Sequence, residues 1–255
     1  MTILETCGLT VQIGEILVCD NLDISIPEEA VVGILGANGT GKTTLLHTLA
    51  GLRPPHKGVV KLQDQLISDY SARQRAQVLG ILLQDHQDPL YASVLQTVLS
   101  GRHPYHSALE QENEQDYDIA WQALKLTQLD TKAEQAAHQL SGGEKKRMDL
   151  ATLLTQNPRV YLLDEPNSHL DIQFQISLLK LVSDRARQRL GTAIMVLHDV
   201  NLTLRFCEYV LLLYGNGEVQ FGLCNDLINS QNLQRLFGHH MIEAQHQHQR
   251  LFFPG

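Results

Sequence analysis

Over its first forty residues the chain alternates apolar and polar positions. Leu9-Thr10-Val11-Gln12-Ile13 and the spaced Leu22, Ile24 and Ile26 predict half-buried strands with polar turn residues between them. Val31-Val32-Gly33-Ile34-Leu35 breaks that alternation. An uninterrupted, uncharged run of this length predicts a central strand covered on both faces. It enters a glycine-rich loop, and residues 43–49 predict the helix beyond. Gly51-Leu52-Arg53-Pro54-Pro55 ends that helix, because proline lacks the N–H donor and its predecessor avoids helical dihedrals. Residues 58–62 read as another strand, and 79–83 as a further buried one.

From about Asp88 to Gln139 the chain becomes richer in Gln, Glu, Asp and His, and its apolar residues take helical spacing. Ile119, Ala120, Ala123, Leu124 and Leu126 predict one face of a helix that contains Trp121. We read this part as a helical subdomain inserted into a sheet domain. Strand signals return at Val160-Tyr161-Leu162-Leu163 and at 193–197, with a helix pattern over 172–187 between them: a β-α-β unit. Residues 210–213 and 218–221 flank Tyr214-Gly215-Asn216-Gly217, the signature of a hairpin. The expected organisation is a single domain over 1–255. Its core is 1–87 plus 157–255, and its helical subdomain is about 88–156.

Composition narrows the function classes. The chain has 255 residues, 43% hydrophobic and 19% charged, with 20 basic and 28 acidic side chains for a formal charge of −8. That balance gives no phosphate-neutralising surplus, so direct nucleic-acid binding is not expected. The longest apolar stretches fall far short of the roughly 20 residues a spanning helix needs, and the first residues lack a secretory pattern. Cys7, Cys19, Cys207 and Cys224 show no CxxC spacing. The expected location is cytoplasmic, with any membrane role exercised through a partner.

Two motifs carry chemistry. Gly36-Ala37-Asn38-Gly39-Thr40-Gly41-Lys42-Thr43 matches G-x-x-x-x-G-K-[ST] in full. Glycines let successive backbone N–H groups turn onto phosphate oxygens, and the helix that follows aims its positive end at the same charge. In that arrangement Lys42 reaches the β- and γ-phosphates of a nucleotide and the Thr43 hydroxyl binds Mg²⁺. Val160 to Leu163 then leads into Asp164-Glu165, two acids at the C-terminal end of a buried strand, where open α/β sheets keep their ligands. Asp164 is the candidate Mg²⁺ residue, and Glu165 the candidate base for an attacking water.

Leu140-Ser141-Gly142-Gly143-Glu144-Lys145-Lys146-Arg147 stands between those motifs and resembles the signature of ABC-type ATPases. Gln84 is similar to that family's Q-loop glutamine, Ser168-His169-Leu170-Asp171 to its D-loop, and His198 in Val196-Leu197-His198-Asp199 to its switch histidine. The resemblance covers nearly the whole chain. It implies an α/β fold of P-loop NTPase, ABC ATPase type: a mixed central sheet, an antiparallel N-terminal β subdomain and the inserted helical subdomain. It implies ATP contacts from Gly36, Asn38, Gly39, Gly41, Lys42, Thr43 and Thr44, with Ile13 over the base. Catalysis would fall to Glu165, His198 and Gln84, with Thr43, Gln84 and Asp164 at Mg²⁺. Ser141, Gly142, Gly143 and Asp171 would touch the ATP of a second copy in a head-to-tail dimer.

Three positions depart from the family pattern. Ile13 stands where an aromatic residue usually stacks on adenine, and Glu144 where glutamine is usual, which adds a carboxylate near the second phosphate surface. Glu28 also replaces a common glycine, without an assigned function. The length fits one cassette, without fused spans or long heptad insertions: Lys42 and Ser141 stand 99 positions apart. The class implied is a separate ATPase subunit, peripheral on the inner face of the membrane, docked beneath integral permease subunits and serving a solute-binding protein indirectly. Val98 to Tyr105, containing Gly101-Arg102-His103-Pro104, resembles a segment of the ATPases for ferric-siderophore, haem and vitamin B12 uptake. So do His169 to Gln175 and Leu236-Phe237-Gly238. The 101–104 run would help form the surface that receives the permease, with Arg102 exposed to it if that side chain faces the groove. Zinc or manganese importers and non-transport ABC ATPases are the alternatives. The tail holding His239, His240, His246 and His248 is expected as an exposed, solvated segment, with transition-metal binding as the competing idea.

Overall fold

The computed structural model describes residues 1–84, 92–107, 110–168, 170–247 and 249–255. Asp88, Pro89 and Leu90, His169 and His248 lie outside the described residues.

The alternating N-terminal segments pair into an antiparallel sheet. Its order is β2 (Ile16–Pro27), β1 (Thr2–Ile13), β4 (Lys57–Leu62) and the two-residue β5 (Gln65–Leu66). The central sheet runs β10 (Glu218–Leu223), β9 (Tyr209–Gly215), β3 (Val31–Gly36), β8 (Thr192–Val196), β7 (Val160–Asp164) and β6 (Leu79–Leu82). Its first five strands in the chain, β3, β6, β7, β8 and β9, are parallel, and β10 closes the edge antiparallel to β9. The mixed sheet, the antiparallel subdomain and the helical insertion are all present as the sequence led us to expect. At the β9–β10 turn both Asn216 and Gly217 have positive φ, as a tight hairpin requires.

The charge-free strands are buried on both faces because each feeds two cores. In β7, Val160 and Leu162 pack into the cluster under the N-terminal sheet and α1 (Lys42–Leu49). Tyr161 and Leu163 point the other way, into the cluster beneath the remaining helices. Val32 and Ile34 against Val31 and Leu35 in β3 divide in the same manner. After α2 (Ala72–Val78), the helical layer is α3 (Val94–Leu99), a 3-10 turn over Ser100–Tyr105, α4 (Glu114–Leu126) and α5 (Gly142–Gln156).

One expected core residue is not in the core. Leu126 is 52% exposed, whereas Thr127 is fully buried and bonds back to the Ala123 and Leu124 carbonyls. The inward stripe of α4 runs through Ala120, Ala123 and Leu124, and position 127 continues it at helical spacing better than 126.

Beyond α6 (Ile172–Arg187) come α7 (Val200–Phe206), α8 (Cys224–Leu227) and α9 (Ser230–Phe237). The tail is exposed along most of its length, His239, His240 and His246 included, but it is ordered. It folds into a hairpin of β11 (Met241–His246) and β12 (Gln249–Pro254), with Met241 and Phe252 buried. Asn201 binds it as a strand would: its amide nitrogen donates to the Phe252 carbonyl (2.9 Å), and its amide oxygen accepts the Phe252 N–H (2.8 Å). In this hairpin His239 Nε2 lies 3.3 Å from the Gly255 carbonyl.

Candidate functional site

The C-terminal end of β3 delivers the chain into the 36–43 loop. Gly41 caps α1 with φ +88°, and a Cβ there would meet Val18 Cγ2 at 2.4 Å, so both dihedral and space demand glycine. No side chain caps α1 and its first turn holds no acid, which leaves its leading N–H groups facing outward for an anion. Lys42 is buried at 6% exposure. Its ammonium folds back to donate to the Gly36 carbonyl (3.0 Å) and the Ala37 carbonyl (2.9 Å). Burial lowers its pKa, and the carboxylates of Glu165 and Asp164 partly counter that.

Asp164 ends β7 at 0% exposure. Burial raises its pKa, and the neighbouring Thr43 hydroxyl opposes the rise, yet among the described residues no donor meets either carboxylate oxygen in good hydrogen-bond geometry. Two buried, unsatisfied carboxylate oxygens beside a hydroxyl suit a hard divalent cation. The next residue leaves the strand in a left-handed conformation: Glu165 has φ +47°, rare for a residue with a Cβ. Its two oxygens are shared between separate elements. Gln84, just after β6, donates from Nε2 to Glu165 Oε2 (3.1 Å), and His198, just after β8, brings Nε2 within 2.7 Å of Oε1. Three residues separated by more than thirty positions each thus meet at the C-terminal ends of adjacent parallel strands.

The other glycine motif is built differently. Ser141 caps α5 and completes a capping box: its hydroxyl accepts the Glu144 N–H, while Glu144 Oε2 accepts from the Ser141 N–H and hydroxyl, both at 2.9 Å. Lys132 also pairs with Glu144, and this pairing leads the causes that hold its carboxyl down at about 2. The carboxylate at 144 is therefore bound into the helix start, facing Lys132 and Ser141. Gly142 is exposed with open space around it. Asp171 likewise caps a helix, accepting the Phe174 N–H (2.8 Å) at the start of α6.

Of the remaining predicted positions, Ile13 closes β1 and packs partly buried against the N-terminal core. Arg102 does not face a groove. Its guanidinium bonds Asp116 (2.8 Å) and the Thr155 carbonyl (3.3 Å) and lies over the Tyr105 ring. Glu28 pairs with Arg159 (3.2 Å), and the left-handed residue of that turn is Glu29. Lys146 is a residue that motif reading passed over. Buried on α5, it donates to the Leu83 carbonyl (3.0 Å), tying the signature helix to the residue before Gln84. Its position four before Leu150 and seven before Leu153, in an inward stripe, was the available signal.

A phosphate-binding loop, a buried strand-end aspartate and a glutamate held by glutamine and histidine are the features of a P-loop nucleoside triphosphatase. Comparison with known proteins narrows the class. The sequence profile of the ABC transporter family matches residues 19–168. A petrobactin import ATP-binding protein of Bacillus anthracis is 35% identical over 92% of this chain and 86% of its own length. An achromobactin transport ATP-binding protein of Dickeya dadantii is 37% identical over 93% and 88%. Among solved structures, an inward-facing conformation of a metal-chelate type ABC transporter matches with TM-score 0.86 at 28% identity, covering 100% of this chain and 98% of that one. A dimeric structure of the bacterial ABC transporter cassette MJ0796 matches with TM-score 0.77 at 26% identity, over 87% and 98%. The chain belongs to the ABC transporter family, as an ATP-binding cassette. Among the described residues, no helix is long and apolar enough to cross a membrane.

Proposed function

We propose that this cassette hydrolyses ATP to drive import of a ferric-siderophore or related metal chelate through separate permease subunits. The observation that carries the hydrolytic reading is the Glu165 carboxylate held between Gln84 and His198 beside Lys42 and Asp164. The triphosphate lies on Gly36, Asn38, Gly39, Gly41 and the first N–H groups of α1 at Thr43 and Thr44, and Ile13 covers the base. Lys42 exchanges its two loop carbonyls for phosphate oxygens. Thr43, Gln84 and Asp164 would hold Mg²⁺, which would supply charge to neutralise the phosphate during displacement. Glu165 takes a proton from the attacking water as the oxygen bonds to the γ-phosphorus and the bond to ADP breaks. Gln84 and His198 hold that carboxylate in place.

In the same reading two copies stack head to tail. Each ATP lies between one Lys42 loop and the partner's Ser141-Gly142-Gly143 surface, with Asp171 alongside. Residues 88–156 form the subdomain that moves against the core, 1–87 plus 157–255. Between β6, α3 and α5 lies a cavity of about 480 Å³, lined by Leu82, Leu83, Gln96, Asp149 and Thr152 among others. A short cytoplasmic helix of the permease would seat there, next to Gln84. The names of the petrobactin and achromobactin relatives support iron-chelate cargo. The test is ATP-driven uptake of a ferric siderophore into vesicles containing this subunit and a permease encoded beside it. Uptake that stops with Glu165→Gln supports the reading. Hydrolysis undiminished in Glu165→Gln, or a permease that never co-purifies, would overturn it.

A further inference from the structure

A cavity of about 570 Å³ opens between the loop after β8 and the C-terminal hairpin, walled by Asn167, Gln175, His198, Met241, Phe252 and Pro254. We propose that it receives Ile172 of a second copy of this chain, so that the hairpin forms part of the dimer contact. The proposal rests on the head-to-tail dimer read above, and adds a contact between protein surfaces that does not pass through ATP.

Three observations lead there. Ile172 is 79% exposed, more than any other large apolar side chain among the described residues except Met1. It is the first residue of α6, held rigidly because Asp171 caps that helix, so a branched apolar side chain projects from a fixed helix end at the expected interface. An isolated exposed apolar residue needs no partner, but here a cavity lies close by whose mixed wall includes the apolar side chains of Leu202, Phe237, Met241 and Phe252 beside polar ones such as Asp199. Gln175, less than one turn further along α6, is part of its wall. Knob and hole are thus neighbours on one subunit. In an isologous contact, a twofold axis passing near both sets each knob against the other copy's hole. The cavity is also continuous with the proposed composite site, since His198 contributes to both.

The hairpin is fixed well enough to serve as a wall. Asn201 bonds both backbone groups of Phe252, and Asn201 lies in the first turn of α7, three positions after His198. Hairpin and switch histidine therefore hang from the same short helix. Seating of the partner's Ile172 would be felt at the residue that contacts Glu165.

The test uses the full chain with Glu165→Gln, so that ATP accumulates, and Cys7→Ser, since Cys7 is partly exposed while the other three cysteines are buried. In this background Ile172→Cys is combined with His239→Cys on the cavity wall and treated with a short bis-maleimide. We expect a covalent dimer with ATP, little with ADP, and little from either single cysteine variant. Equal crosslinking by Ile172→Cys alone would place the two Ile172 residues against each other and overturn the proposal. So would no crosslink in the double variant while light scattering reports an ATP dimer. Absence of any ATP dimer by scattering would overturn the underlying dimer reading and the proposal with it. As a second measure, Ile172→Asp should weaken the ATP dimer at least about tenfold, from loss of a buried aliphatic side chain, with monomer ATP affinity unchanged. Ile172→Leu should stay near the parent, and an unweakened Ile172→Asp dimer would also overturn it.

Discussion

Two helices of this chain begin in glycine-rich turns, and they begin in opposite states. The start of α1 has no side-chain cap, a left-handed glycine where Val18 leaves no space for a Cβ, and a buried lysine folded onto loop carbonyls. The start of α5 is closed by its own Ser141–Glu144 box, with Lys132 on the same carboxylate. An uncapped helix end with a buried cation is ready for polyphosphate before anything binds. A self-satisfied, exposed end has little to gain from an anion by itself. It becomes useful when the anion arrives already held, as ATP on a second subunit would be. In the proposed reading, that difference separates a surface for binding from a surface for assembly.

The largest effect should come from disabling the chemistry while leaving both surfaces intact. Glu165→Gln is expected to lower phosphate release about 10²- to 10⁴-fold, with ATP affinity near the parent by equilibrium dialysis. Next, Lys42→Ala breaks the α1 surface alone. Loss of charge-assisted bonds to phosphate, about 1.5–3 kcal/mol, should weaken ATP binding roughly ten- to hundredfold in calorimetry. Gly41→Ala attacks the same surface through the backbone. With φ +88° and Val18 at 2.4 Å from the added carbon, it should cost about 1–3 kcal/mol of stability in urea unfolding and weaken ATP binding as well.

The smallest effect lies at α5. Glu144 is held at about 2 against an ordinary 4.5. A depressed carboxyl contributes stability that is complete above pH 4.5 and is lost as pH falls toward 2. Glu144→Gln should flatten the acid limb of the unfolding midpoint within that window and leave ATP affinity untouched. An α5 box that mattered for binding by the monomer would instead change affinity, and would erase the contrast.

The α1 surface and the two acids were legible in the sequence because local chemistry fixes them. A charge-free strand followed by glycines, or by Asp164-Glu165 at its end, has one place in a parallel sheet. The state of the α5 surface was less legible. Its motif could be read, but whether Glu144 would face the ligand or the helix start depended on Lys132, supplied from an adjoining turn. Arg102 turned inward for a similar reason, because Asp116 waits on α4. The tail shows the same limit. His and Gln predict solvent, and those side chains are exposed, but the β11–β12 pairing and the anchoring of Phe252 by Asn201 of α7 were not foreseen. Glu165 was legible as an acid at a strand end, but not in the left-handed backbone that turns it toward Gln84 and His198.

The central claim is that one surface binds ATP and the other joins subunits. The most direct test is Ser141→Arg in the Glu165→Gln background, followed by sedimentation velocity with ATP and Mg²⁺ alongside nucleotide affinity of the monomer. The account predicts that the parent sediments as a dimer with ATP and as a monomer with ADP, while the Ser141→Arg form stays monomeric and binds ATP as the parent monomer does. An ATP dimer formed equally well by Ser141→Arg, or loss of monomer ATP binding in that variant, would contradict it.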